Sequence, residues 1–260
     1  MKMIREPAVA GAFYPADADE LSHVVDQFLA ASVTPGCQAK ALIVPHAGYI
    51  YSGAIAASAY ASLTPFRATI RRVVILGPSH YVAFSGLAYS DADCFRTPLG
   101  CVEQDKIALA RICDLAQVQH LEAAHRDEHS LEVQLPFLQR CLSEFSVIPL
   151  VVGQASAAEV SEVLERLWGG EETLVVVSSD LSHYLSYAQA QASDEVTTQA
   201  IERLDTHIDA RQACGRTPII GLLQSAKQHR LNVTTLDLRN SGDTAGDKDR
   251  VVGYGAYVLQ

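Results

Sequence analysis

Four short stretches of this chain are apolar at nearly every position: Ala41–Pro45 (ALIVP), Arg72–Gly77 (RVVILG), Ser146–Gly153 (SVIPLVVG) and Thr173–Ser178 (TLVVVS). A strand with one face in water alternates apolar and polar residues, whereas a strand apolar throughout and rich in Val and Ile must be covered on both faces. The covers are visible too. Leu21, Val24, Val25, Phe28 and Leu29 recur at helical spacing within Asp17–Ser32, as do Val160, Val163, Leu164 and Leu167 within Ser156–Trp168. Strands alternating with helices predict an α/β fold, a three-layer α/β/α arrangement around a mainly parallel central sheet. Further helices are expected at Gly53–Leu63, Gln104–Gln117, Ser130–Phe145 with an interruption near Pro136, Ala188–Leu204 and Pro218–Gln228. For the last of these, Thr217 is the expected N-cap and Pro218 the first helical residue. Val233–Leu238 and Val251–Leu259 complete the strands, and with no linker, repeat or composition break, residues 1–260 read as a single domain.

Composition narrows the function. At 48% hydrophobic and 19% charged residues the chain is globular rather than disordered. With 20 Lys+Arg against 30 Asp+Glu, and its one basic cluster at Arg67–Arg72, it lacks what a nucleic acid or an anionic membrane surface requires. No apolar run approaches the ~20 residues of a membrane span. Six cysteines stand singly with no CxxC pair, and Met1–Pro7 carries no apolar signal run, so the reducing cytoplasm is the expected compartment.

The chemistry is expected where strands end. Three of the apolar runs lead into loops that carry histidine: Val44-Pro45-His46, Leu76-Gly77-Pro78-Ser79-His80, and Ser178-Ser179-Asp180-Leu181-Ser182-His183. In open parallel sheets the carboxyl ends of the strands line the ligand crevice, so these imidazoles are expected to face one pocket. Imidazole with an anionic ligand suits a first-row metal, iron as Fe(II) first and zinc as its competitor. Asp180 is the expected orienting partner of His183, and His183 is equally suited to general acid–base work. Cys214 precedes a predicted helix N-terminus, which favours a lowered thiol pKa. Cys37, Cys94, Cys101, Cys113 and Cys141 read as small buried hydrophobes. His125–Glu132 is the densest polar run; it reads either as a solvated helix start or as a turn aiming His129 or Glu132 at a substrate, and it is not the zinc-protease HExxH. In the stretches Ala10–Pro15 and His46–Gly53, Gly48 and Gly53 would let backbone approach a ligand and Tyr49 or Tyr51 could offer it a phenol.

Taken together, AGAFYP (10–15), PHAGYIYSG (45–53), LGPSHY (76–81), EHSLE (128–132), SSDLSHY (178–184), ACGRTPI (213–219) and GYGAYVL (253–259) resemble the Memo family, whose prokaryotic members are called AmmeMemoRadiSam system protein B. That family is similar in fold to the class III extradiol dioxygenases, non-haem iron enzymes. The resemblance implies that His46, His80 and Cys214 bind the metal, that Asp180 and His183 line the same pocket with His183 as acid–base, and that His129 contacts substrate. A thiolate in place of the dioxygenases' Glu ligand is softer and open to oxidation, which makes copper a rival to iron. The expected function is a metal-dependent redox enzyme acting on a small oxygenated molecule; the alternatives are a zinc hydrolase and a binding or adaptor protein that holds a small ligand or peptide in a vestigial pocket. The family's name also implies a radical-SAM protein as partner.

Overall fold

The structure is a computed structural model in which residues 2–33 and 38–260 are described; Cys37 lies outside the described residues. In chain order the elements are β1 (Ile4–Arg5), α1 (Ala18–Ala31), β2 (Ala41–Val44), α2 (Tyr49–Tyr60), β3 (Arg72–Pro78), β4 (Leu87–Tyr89), β5 (Cys94–Thr97), β6 (Gly100–Glu103), α3 (Lys106–Leu109), β7 (Val118–His120), α4 (Glu122–Arg126), α5 (Leu135–Cys141), β8 (Ser146–Val152), α6 (Ala157–Leu167), β9 (Thr173–Ser178), β10 (His183–Leu185), α7 (Tyr187–Glu202), α8 (Arg216–Gln228), β11 (Val233–Asn240) and β12 (Val251–Leu259). The four apolar runs became β2, β9, β3 and β8, adjacent in that order and mutually parallel. The nine-stranded sheet is mixed rather than parallel to its edges. On one side β12 runs antiparallel to β2 and pairs with β10 and β11; on the other, β4 is antiparallel to β8 and parallel to β7.

Period-2 alternation along each central strand divides the core into two layers. Leu42, Val44, Val73, Ile75, Val147, Val151, Leu174 and Val176 pack on one face with Leu21, Val25, Ile55 and Phe137 from α1, α2 and α5. Their neighbours Ala41, Ile43, Val74, Leu76, Ile148, Leu150, Val175 and Val177 pack on the other with Val160, Val163, Leu164, Ile219, Leu222 and Leu223 from α6 and α8. The helix ends follow local chemistry: the Asp17 side chain accepts from the Asp19 and Glu20 amides to start α1, and Ser156 with Glu159 forms a capping box on α6.

Several expected boundaries are corrected. Helix α2 begins at Tyr49, four residues before the predicted Gly53, and α8 begins at Arg216 with Gly215 as N-cap, so Thr217 lies inside it. Gln104–Gln117 holds only the short α3 before the chain breaks into turns, and Ser130–Phe145 is a 3-10 turn (Glu132–Gln134) followed by α5, whose first turn contains Pro136. Pro136 starts a helix here instead of breaking one, because its missing N–H is an unpaired group in the first turn anyway. The three-stranded sheet β1-β5-β6 had no periodic signal long enough to read. Cys101 and Cys113 are exposed, contrary to the burial expected of them, while Cys94 and Cys141 are buried.

The N-terminal segment is fastened to this body by the β1–β5 pairing, by Arg5 bonds to the His125 and Glu128 carbonyls, and by one buried carboxylate. Glu132 pairs with Arg5 and also accepts from the Ala8 and Val9 amides and from the Tyr14 hydroxyl. Glu132→Ala would leave the buried Arg5 charge with carbonyl acceptors but no counter-ion and is expected to cost about 3–5 kcal/mol, read by urea unfolding. A loss below ~1 kcal/mol would show that the segment is held by other contacts.

Candidate metal centre

Because β2, β3 and β9 are parallel, their carboxyl ends meet at one edge, with Val44 opposite Ser178 and Leu76 opposite Val177. The chain leaving β2 carries His46, the chain leaving β3 carries His80, and the chain leaving β9 carries Asp180 and His183. The turn between α4 and α5 brings His129 to the same place. Donor atoms of His46, His80 and His129 all lie within 4.8 Å of one another, so these three residues could hold a metal ion. Their ring centroids are 4.5 to 5.5 Å apart. The triad floors a cavity of about 790 Å³ also lined by Asp180, His183, Tyr184 and Cys214.

Each imidazole is held by a defined partner. Ser178 has one hydroxyl proton, donated to the Ser130 carbonyl at 2.6 Å, and it accepts from the Gln134 amide at 2.8 Å. Toward His46 Nδ1, 2.9 Å away, Ser178 is therefore an acceptor. His46 is then the Nδ1–H tautomer with its Nε2 lone pair free. His80 is fixed in the same sense by Glu128, whose carboxylate accepts from His80 Nδ1 at 2.8 Å and from its amide at 2.7 Å. These bonds, opposed by burial, hold the Glu128 carboxyl down at about 2. Phe13 packs on His129 at 4.7 Å, and the Tyr81 hydroxyl lies 3.5 Å from His129 Nδ1.

Two close approaches make this possible. At Gly77 a Cβ would fall 2.6 Å from Ser130 Oγ, and at Gly215 one would fall 2.6 Å from Ser179 Cβ. Glycine at these points lets the Glu128–Ser130 turn and the Cys214 segment close on the strand ends. Gly53, expected near a ligand, instead packs α2 against Phe28 of α1.

The structure redistributes the other expected residues. His129, expected to contact substrate, lies with His46 and His80 in the group that could hold a metal ion. Asp180 does not orient His183: its Oδ1 accepts from the His46 amide at 2.8 Å, whereas His183 Nδ1 donates to the Leu181 carbonyl at 2.9 Å, leaving His183 Nε2 free. Tyr49 is buried with its hydroxyl donating to the Val133 carbonyl, so it offers nothing to a ligand. Tyr51 lines the outer part of the cavity. Cys214 Sγ stands 3.3 Å from His46 Nε2, but burial pushes its thiol up to about 12, the reverse of the expected helix-end effect. Glu128, Ser178 and Gln134 were not singled out from sequence. The one available signal for Glu128 was its place beside His129 in EHSLE.

The Memo-like protein family model matches residues 5–258. The chain belongs to the Memo family. A MEMO1 family protein of Aquifex aeolicus is 39% identical over 265 residues, covering 96% of this chain and 97% of the relative. One from Methanopyrus kandleri is 36% identical over 284 residues, covering 99% of each. The crystal structure of an uncharacterized protein of Escherichia coli K12 matches the fold with a TM-score of 0.55 at 13% identity, covering 84% of this chain and 98% of that one. In this Memo family protein, no helix among the described residues is long and apolar enough to cross a membrane.

Burial lowers the pKa of His46 and His129, aided by the neighbouring imidazoles, and lowers that of His125 to about 4. Below ~6.5 the unfolded chain takes up protons that these native imidazoles refuse, so stability falls as pH drops from there toward ~4. Asp180 and Asp194, raised by burial, act in the opposite sense between their raised values and the ordinary carboxylate range. Metal-free protein should therefore melt at a lower temperature at about pH 5 than at about pH 7. A higher melting temperature at about pH 5 than at about pH 7 would overturn the reading that burial of the three neutral histidines dominates the acid side.

Proposed function

We propose that this protein is a metal-dependent enzyme acting on a small oxygenated molecule, with His46, His80 and His129 as the metal-binding set. The observation that carries the reading is the fixed tautomers: Ser178 and Glu128 occupy the Nδ1 sides of His46 and His80, so both Nε2 atoms are left for one ion. Neutral imidazoles with open coordination positions fit iron, copper and zinc. The fold resemblance of the Memo family to extradiol dioxygenases favours Fe(II) as our choice, which when bound would supply a redox-active, oxygen-binding centre. Around it the chain's own groups divide the work. Glu128 and Ser178 orient the ligands, which is the part that outer hydrogen bonds play in metal sites. Asp180 fixes the His46 backbone through its amide. His183, with Nδ1–H spent on Leu181, presents Nε2 to the cavity and can take a proton from a bound hydroxyl or return one. Tyr51 and Tyr184 wall the approach.

Metal content of protein purified without chelator or tag metal tests the ligand set. Alanine at His46, His80 or His129 should abolish metal retention, and Glu128→Gln should weaken it by about 10–100-fold. His183→Ala should keep the metal and lose turnover. Cys214→Ser should keep the metal; metal lost in this variant but kept in His129→Ala would move the ligand set to His46, His80 and Cys214. Oxygen uptake after anaerobic Fe(II) loading separates a redox centre from a zinc hydrolase, which would consume none.

A further inference from the structure

The space above the triad has two lobes that share His129, Asp180, His183 and Tyr184. The outer lobe, about 430 Å³, is bounded by Phe13, Tyr51, Tyr254 and Arg250. Tyr184 follows His183 directly and has φ 60, the left-handed region that a bulky L residue rarely occupies. In that conformation Tyr184 is 64% exposed, and the Arg250 guanidinium lies over its ring at 5.0 Å from the centroid. Stacking on an aromatic face fixes a guanidinium while leaving its in-plane N–H fork free. Eight arginines of the described residues are in ion pairs; Arg250, like Arg211 of the inner lobe, has no carboxylate within 4.0 Å, and of these two Arg250 is the one held over an aromatic ring. Asp247, which lines the same lobe, is turned to its own backbone, accepting from the Asp249 and Arg250 amides.

A chain of formal charge −10 thus places an unpaired, stacked guanidinium beside its candidate acid–base histidine. We infer that Arg250 on Tyr184 is a carboxylate subsite, so that the substrate of this centre is a small organic carboxylate whose other end reaches the histidines. The flat walls of Phe13, Tyr51 and Tyr254 suit an unsaturated or aromatic body. This deepens the proposed metal-dependent function and rests on it for the word substrate; the subsite itself is testable without metal.

The experiment is an NMR titration of metal-free protein with benzoate and with its neutral isostere benzamide. Benzoate should bind about tenfold or more tightly, as a charge-assisted bidentate contact implies. Arg250→Gln should erase that preference, Arg250→Lys should restore only part of it, and Arg211→Gln in the other lobe should leave it intact. Equal affinity for the two probes, no binding of either, or a preference that survives Arg250→Gln overturns the subsite. Wild-type protein that prefers benzoate but cannot retain any metal would sink the enzymatic reading and leave the subsite standing.

Discussion

The single proton of the Ser178 hydroxyl organises the centre. Committed to the Ser130 carbonyl, it forces Ser178 to accept from both Gln134 and His46. One side chain at the end of β9 therefore ties together the chain leaving β2, the Glu128–Ser130 turn and the start of α5. Gln134 extends the tie: its amide also donates to the Pro45 carbonyl, and its oxygen accepts from the Tyr60 hydroxyl inside the helical layer. In a low-dielectric interior such a network is rigid only when every member is satisfied, and a missing partner costs more than the bond contributes.

Two glutamates four residues apart divide the same turn between function and folding. Glu128 faces the strand ends and fixes His80, while Glu132 faces away and gathers Arg5, Tyr14 and the amides of Ala8 and Val9. The N-terminal segment so held delivers Phe13 onto the ring of His129. His129 thus depends on a contact more than a hundred residues away in sequence, which no local pattern could announce. The loops here are not ornaments on the sheet; their buried carboxylates stand in for the hydrogen bonds that strand ends lose.

This explains what the sequence disclosed. The four central strands were legible because burial on both faces demands apolar runs, and His46, His80 and His183 were legible because they follow those runs directly. His129 and Glu128 lie in a turn without periodicity, brought in by the absence of a Cβ at Gly77. Tyr49 departs from the expected ligand-facing place because α2 begins four residues earlier than its Ala-rich stretch suggests, which carries that tyrosine into the core. Asp180 sits three residues before His183, and proximity in sequence suggested a partnership that the turn at Leu181 prevents by offering its own carbonyl.

Cys214 meets a need that the His46 tautomer creates. With Nδ1–H of His46 given to Ser178, the Nε2 lone pair is a buried acceptor, and a buried acceptor left alone is costly. The Cys214 thiol, kept protonated by burial and by the nearby Asp180 carboxylate, lies 3.3 Å from that atom with an alternative acceptor in the Asp180 carbonyl at 3.6 Å. An S–H is a weak donor, sufficient to satisfy the nitrogen and weak enough to give way. Were the triad to hold an ion, the His46 Nε2 lone pair would go to it and the thiol would keep the Asp180 carbonyl as its acceptor. The cysteine thereby satisfies a buried nitrogen with a weak donor, which is the role its geometry supports.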